Sequence, residues 1–340
     1  MKAFVTGSTG LLGSNLVKLL LAQGHEVKAL ARSPEKARKQ LGSLPKLEVV
    51  QGDMENIPGF VSAMQGCDVL FHVAAYFRET FGRGDHWPKL EQINVTGTIT
   101  LLNEAEKHGL KKVIYVSSSG VIGLKPDGSP GDETTPPGQN TEANLYFKSK
   151  VLAEQAVATW LKTHTLPVVL ILPTWMYGPQ DAAPTTAGQI VLDFLNRQLP
   201  AIPPGGNAIV DARDVAQAMI FAVERGQSGE RYIISNQFQT MGQITSKLEQ
   251  ASGVPAPKMH LPYPMALAVA WVTETLAQIQ GKDALITING IRTLKHGADV
   301  SSAKAMRELG HTPRPFEETL RDAVNWYRTN QPEKLAKGAV

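Results

Sequence analysis

Lys2-Ala3-Phe4-Val5-Thr6-Gly7-Ser8-Thr9-Gly10-Leu11-Leu12-Gly13 opens the chain, and its reading decides the fold. The apolar run Ala3-Phe4-Val5 has the character of a buried strand. Beyond the glycines Leu12, Leu16, Leu19 and Leu20 recur at helical spacing until Gly24 closes the helix. A strand passing through a glycine turn into a helix aims backbone N–H groups and a positive helix end at one spot, which suits a diphosphate. One glycine permits the tight turn, one lets a ligand approach the backbone, and one lets helix and strand pack closely. Taken alone, such a triplet can be a bare structural turn; its placement directly after a strand and before a helix is what dinucleotide binding requires. Thr6, Gly7, Thr9, Gly10, Leu11, Leu12 and Gly13 are therefore candidate cofactor contacts.

Working outward, a second strand from Glu26 to Leu30 ends at Ala31-Arg32-Ser33-Pro34. An acidic residue at this tip would hold the ribose 2′-hydroxyl of NAD, whereas arginine accommodates the 2′-phosphate of NADP. The tip offers Arg32, followed by Lys36, Arg38 and Lys39, so NADP is preferred over NAD; Lys36 reads as a solvated surface charge. A third strand, Leu47 to Gln51, ends in Gly52-Asp53-Met54. Asp53 is placed either to accept from an adenine amino group or to cap the next turn, with Met54 beside it. The fourth, Asp68 to Val73, leads into the small residues Ala74 and Ala75, where a cofactor ribose would pass. A helix near 90–107, a strand at Lys112 to Val116, a helix from about Asn144 to Thr163 and a strand at Val168 to Leu172 continue the alternation. The expected fold is α/β, a Rossmann-type doubly wound parallel sheet.

Beyond Pro173 the prolines 179, 184, 200, 203 and 204 punctuate shorter elements: helices near Gly188 to Asn196 and Ala212 to Glu224, and a strand at Arg231 to Ile234. The expected organisation is a dinucleotide-binding domain over 1–175, to which 209–235 returns, a smaller substrate-binding part over 176–208 and 236–330, and a tail at 331–340.

With 340 residues, 42% of them hydrophobic, the chain can bury a substantial core. A formal charge of +3 without any lysine or arginine block implies no nucleic-acid partner. Cys67 is the only cysteine and the eight histidines are scattered, so neither a disulfide framework nor a metal site is expected. The first strand begins at residue 2, which leaves no room for a secretory leader and gives a cytoplasmic expectation. The apolar run Pro264 to Val272 is about half of the ~20 residues a membrane-spanning helix needs; it reads as a buried helix face or a peripheral membrane contact. His72, inside an apolar strand, reads as a satisfied core residue. Tyr76, Phe77, Trp175, Met176 and Tyr177 follow strand ends and could wall a substrate pocket or simply pack the core.

The chemistry lies further along. The fifth strand exits at Ser117-Ser118-Ser119-Gly120, and Tyr146 and Lys150, four apart, share a face of the following helix. An adjacent ammonium group is expected to lower the phenol pKa toward the range where tyrosine exchanges protons near neutrality, while a strand-edge hydroxyl orients a carbonyl. A Tyr-x-x-x-Lys pair alone is common. In this order, after an amino-terminal glycine loop and a serine-bearing strand five, it resembles the short-chain dehydrogenase/reductase superfamily, and in particular the extended, epimerase/dehydratase branch, whose Thr-Gly-x-x-Gly-x-x-Gly pattern Thr6 to Gly13 matches fully. Gly52-Asp53, His72-Val73-Ala74-Ala75, Asn94 to Thr98, Leu172-Pro173-Thr174, Gly178-Pro179, Ser302-Ala303-Lys304 and Glu308-Leu309-Gly310 look like further landmarks.

The resemblance implies that Ser118 orients the carbonyl, with Ser117 and Ser119 as rivals, that Tyr146 is the acid/base, and that Lys150 lowers its pKa and holds the nicotinamide ribose. It also places Ala74, Ala75, Pro173 and Thr174 along the cofactor. Dihydroflavonol reductase-like proteins and hopanoid-associated sugar epimerases are the closest likenesses. They imply an NADP-dependent oxidoreductase acting on a small-molecule carbonyl or alcohol, or else a nucleotide-sugar epimerase or dehydratase with tightly bound NAD(P). A non-catalytic nucleotide sensor is the reading from another class, and helix pairing into a homodimer is common in the family. Gly206 to Asp214 departs from the sugar-nucleotide pattern; Arg213 there could meet an anion, or with Asp214 only pair and cap.

Overall fold

The computed structural model describes residues 1–77, 84–138, 141, 144–280, 287–295, 297 and 299–336. Seven parallel strands form the central sheet: β1 (Lys2–Thr6), β2 (Glu26–Ala31), β3 (Leu47–Gln51), β4 (Val69–His72), β5 (Lys112–Val116), β6 (Val168–Pro173) and, after two short strands of a second sheet, β9 (Arg231–Ile234). Their spatial order is β3-β2-β1-β4-β5-β6-β9. This is the doubly wound Rossmann-type sheet expected. Side chains alternate across it because a strand's period is two. Ala3 and Val5 of β1, Phe71 of β4 and Ile114 of β5 enter one core, whereas Phe4, Leu70, Val113 and Tyr115 enter the other.

Helices cover both faces, so the strands are buried on each side and read as continuous apolar runs. On the first face lie α1 (Leu11–Ala22), through Leu12, Leu16 and Leu20, and α7 (Ala212–Arg225), through Val215 and Met219. On the second lie α4 (Gly97–Lys107), through Leu101 and Leu102, and α5 (Leu145–Trp160), through Ala153 and Val157. The short helix α2 (Pro34–Leu41) joins β2 to β3. The single helix expected near 90–107 is instead a short α3 (Trp87–Leu90), a π-helical turn over Glu91–Thr96, and then α4.

The second sheet was not foreseen. Strand β7 (Trp175–Tyr177) runs parallel to β8 (Gly206–Asp211), which pairs antiparallel with β10 (Gln237–Thr240). These strands are short, and β10 carries one apolar residue in Gln-Phe-Gln-Thr, too little pattern for a period-two reading. A third core under this sheet gathers Tyr177, Phe194 of α6 (Thr186–Leu195), Leu248 of α8 (Met241–Ser252) and Phe316 of a carboxyl-terminal helix, Phe316–Asn330. Between them come α9 (Tyr263–Gln280), α10 (Ile288–Lys295) and α11 (Ala303–Glu308), so Phe316–Asn330 is α12.

The first part of the expected tail is fastened down. Asn196 Nδ2 donates to Lys334 O (2.9 Å), Ala336 N donates to Asn196 Oδ1 (2.7 Å), and Leu335 packs on the third core; 337–340 lie outside the described residues. Among the described residues no helix is long and apolar enough to cross a membrane, and no group of three or more His, Cys, Asp or Glu side chains could hold a metal ion.

Candidate active site

The strand order reverses between β1 and β4, and it is outside the carboxyl ends of strands at such a switch point that open α/β sheets bind ligands. Gly7 turns the chain there with φ +65°, and a methyl group on it would come within 2.7 Å of Ala74 N. At Gly13 a methyl would overlap the carbonyl oxygen of Gly7, so this glycine serves helix-to-loop packing. Gly10 is different. A methyl there would meet only Gly7 O, at an ordinary 3.5 Å, so packing does not demand a glycine. What its bareness provides is open approach to the first turn of α1, which has neither a side-chain cap nor an acidic residue. That cradle fits a dinucleotide diphosphate.

Several residues expected to contact the cofactor have buried side chains. Leu11 and Leu12 are buried with their side chains in the core. Thr6 is fully buried: its Oγ1 accepts from Val73 N and Ala74 N, both at 3.1 Å, and meets His72 Nδ1 at 2.9 Å. Its hydroxyl is thus a strut binding β1 to the exit of β4. His72 completes the strut by meeting Thr98 Oγ1 with Nε2 (3.1 Å), and burial drives its pKa down to about 3, so it is the neutral core residue expected. Ser8, not singled out in the sequence, pins the loop to β2 by donating to Leu30 O at 2.7 Å.

Arg32 stands exposed just past β2, and none of the ion pairs among the described residues engages it; Lys39 is exposed in the last turn of α2. Asp53 Oδ1 accepts from Glu55 N (3.1 Å), which makes it a turn cap, while Asp53 and Met54 remain half-buried at the end of β3. Ala74 lies against Gly7, and Ala75 follows it half-buried. Pro173 and Thr174 are buried, and Thr174 Oγ1 is directed to Ile234 O (3.4 Å) and Ser235 Oγ (3.5 Å), so its side chain ties the exit of β6 to the end of β9.

Asn144 caps α5 by accepting from Tyr146 N (3.0 Å) and Phe147 N (3.2 Å). This fixes the helical turn that puts Lys150 Nζ 5.9 Å from the centre of the Tyr146 ring. Lys150 is 2% exposed; Nζ donates to Val116 O (2.8 Å) and to Tyr115 Oη (3.3 Å). Burial pushes its pKa down to about 7, against the pull of the Glu154 carboxylate. The expectation of a lowered Tyr146 pKa is corrected: removal from water raises the phenol well above its ordinary value. Tyr146 therefore keeps its proton in this state. The aromatic ring of Phe77 stands edge-on to it at 4.7 Å.

The three serines separate clearly. Ser117 is buried and donates to the Glu154 carboxylate, which also pairs with Arg231 Nε at 3.0 Å. Ser118 is half-buried in extended backbone, and its Oγ accepts from Gly120 N at 3.2 Å; Ser119 begins a short 3₁₀ turn. The ring of Phe147 lies over Gly120, where any side chain would overlap it. In the π-helical turn, Asn94 accepts from Tyr76 N (2.7 Å) and donates to Tyr76 O (3.0 Å) and Ser149 Oγ (2.9 Å), linking the β4 exit to α5. Asn94 was legible only as a landmark, and its role needed the fold.

The buried ammonium of Lys150 makes stability depend on pH. Its pKa is 10.5 ordinarily and about 7 in the folded chain, so between those values the unfolded chain binds more protons. Stability is therefore expected to rise as pH increases from 7, by at most about 1.4 kcal/mol per unit. Urea denaturation of wild type and Lys150→Met between neutral and mildly alkaline pH checks this: the wild type should gain relative to the variant, and parallel profiles would contradict it.

The sequence profile of the NAD dependent epimerase/dehydratase family matches residues 3–235. The chain belongs to this family. A protein of Synechocystis sp. provisionally named dihydroflavonol 4-reductase is 35% identical over 335 residues, covering 96% of this chain and 94% of its own. Sterol demethylase protein B of Methylococcus capsulatus is 31% identical, with 96% and 98% covered. The crystal structure of a protein designated gox2253 is 34% identical, superposes with a TM-score of 0.82, and covers 98% of this chain and 99% of its own. As a family member the chain carries an NAD(P)-binding fold of the extended short-chain branch, as the glycine loop indicated.

Within that family fold, Arg213 is turned to structural use. It reaches Asp211 through Nε (3.0 Å) and Nη2 (2.7 Å), and Asp322 of α12 through Nη1 (2.7 Å), while Asp214 accepts from Arg314 Nε at 2.7 Å. The pairing-and-capping reading of Arg213 and Asp214 describes this corner. Glu154 is the residue sequence reading passed over. It lies four beyond Lys150 on the same face of α5, but nothing in the spacing joins it to Ser117, thirty-seven positions upstream.

Proposed function

We propose that this protein is an NADP-dependent reductase of lipophilic ketones or aldehydes, with Tyr146 as the proton donor. The observation carrying this reading is the arrangement on α5: a phenol that keeps its proton, one turn from the buried Lys150, which is tied to the end of β5 at the carboxyl edge of the sheet that also carries the glycine turn after β1. NADPH, when bound, supplies hydride to a carbonyl carbon. At the carbonyl oxygen Tyr146 donates its proton, and the Lys150 ammonium stabilises the tyrosinate left behind. Ser118 orients that oxygen, since Ser117 already donates to Glu154. Lys150, Gly7, Gly10 and Gly13 would hold the cofactor, and Arg32 would meet the 2′-phosphate.

Three observations support the finer points. Arg32 is exposed where the ribose would lie, without an acidic residue at the tip. Phe77 gives Tyr146 an apolar neighbour, and one relative is named for sterol demethylation, which concerns a lipophilic polycyclic molecule.

Coenzyme choice tests the proposal. In Arg32→Glu, kcat/KM with NADPH should fall about tenfold or more, the equivalent of roughly 1.4 kcal/mol, while NADH is used as well or better. Steady-state oxidation of both coenzymes with a panel of hydrophobic ketones reads this ratio. An unchanged ratio would remove Arg32 from the site and NADP from the proposal.

A further inference from the structure

We propose that the outer face of α9 is a membrane-surface contact that lies flat on an anionic lipid bilayer. Between Tyr263 and Thr273 the helix has no charged residue. Met265 (55% exposed), Trp271 (62%), Val272 (45%) and Leu276 (51%) form its outward stripe, and Met259 (55%) precedes them. On the inward side Ala266 and Ala270 are fully buried and pack with Ile291 of α10, with Tyr263 and Leu267 partly buried against them, in a cluster separate from the three main cores. An ordinary surface helix turns polar residues to solvent, whereas this one leaves large apolar residues exposed, and the exposed side is continuous rather than scattered. From Met265 to Leu276 the stripe runs about 16 Å, enough to lie along an interface and far short of the ~30 Å needed to span one.

Charge decides the occupant. Lys258 and His260 are exposed just before the helix, and Arg292 and Lys295 on α10 beside it. The Lys295 ammonium sits 3.7 Å over the ring of Tyr263. No Asp or Glu occurs from Lys258 to Thr273, and Glu274 is occupied by the N–H of Ile288 at 2.9 Å. A second copy packed on this face by two-fold symmetry would set Lys258, Arg292 and Lys295 among their own equivalents. Anionic headgroups meet them favourably, while methionine and tryptophan side chains enter the acyl boundary. The inference does not depend on the reaction proposed above.

The full-length protein is mixed with vesicles of phosphatidylglycerol and phosphatidylcholine, or of phosphatidylcholine alone, and pelleted at low and high salt. Wild type should pellet with the anionic vesicles, less at high salt. The double variant Trp271→Glu, Val272→Glu should bind about tenfold or more weakly with an unchanged melting temperature, and Arg292→Gln with Lys295→Gln should lose the salt-sensitive part. Absence of wild-type binding, or equal binding by both variants, overturns the proposal. So does a dimer in sedimentation that the Trp271 variant dissociates and that ignores vesicles, since a second copy would then cover the face.

Discussion

Tyr146→Phe is expected to lower kcat for carbonyl reduction by roughly 10²–10⁴-fold while leaving NADPH affinity and the melting temperature nearly unchanged. The substitution keeps the ring, and the ring is what packs: it stands edge-on to Phe77 and close to Phe147, contacts a phenylalanine preserves. What is lost is one hydroxyl and its proton. Among the described residues, neighbouring polar groups are engaged elsewhere. The hydroxyl of Ser117 is committed to Glu154, His72 is neutral and inside the strand layer, and the Lys150 ammonium is committed to Val116 O and Tyr115 Oη. A fall in kcat with an unchanged coenzyme Kd separates proton donation from binding. A variant that turned over within a few-fold of wild type would show that the proton comes from elsewhere.

Gly13→Ala is expected to cost roughly 1–3 kcal/mol or more in stability and most of the coenzyme affinity, despite exchanging glycine for a better helix former. The added methyl would overlap the carbonyl oxygen of Gly7, and Gly7 cannot retreat, because its own backbone lies against Ala74 at the end of β4. Strain at one residue therefore spreads to both strands flanking the crevice. Gly10→Ala is the control: its methyl meets Gly7 O at 3.5 Å, so the fold should hold within about 1 kcal/mol while the approach to the first turn of α1 is blocked. Denaturation curves and titration with NADPH resolve the pair. Equal stability losses in the two variants would mean that the glycines do not divide packing and binding as described.

The sequence carried the parallel sheet because its strands, covered on both faces, are unbroken apolar runs separated by helix-period leucines and glycine turns. Those are local signals. The β7-β8-β10 sheet is held by pairing between distant, short and partly polar segments, and no window of sequence contains that information. The same divide runs through the site. Tyr146 and Lys150 were legible as a helical pair, four residues apart. Their electrostatics was not, because spacing reports neighbours and says nothing of burial. Burial raises the phenol and lowers the amine, opposite to the simple expectation for the tyrosine. Thr6, Pro173 and Thr174 lie at the carboxyl ends of β1 and β6, yet the Thr6 and Thr174 hydroxyls serve the scaffold, a distinction only atom-level contacts reveal.

On the proposed reading, reduction and epimerisation would both use this cradle and Tyr146, and they part at the fate of the hydride. The most direct test of the central claim is therefore isotope tracing: 4-deuterated NADPH of each face is supplied with a lipophilic ketone that the enzyme turns over. Carbonyl reduction predicts one deuterium at the carbinol carbon from one face only, with one NADPH consumed per alcohol formed. Turnover of a sugar nucleotide without net NADPH consumption, and no deuterium in any alcohol product, would contradict it.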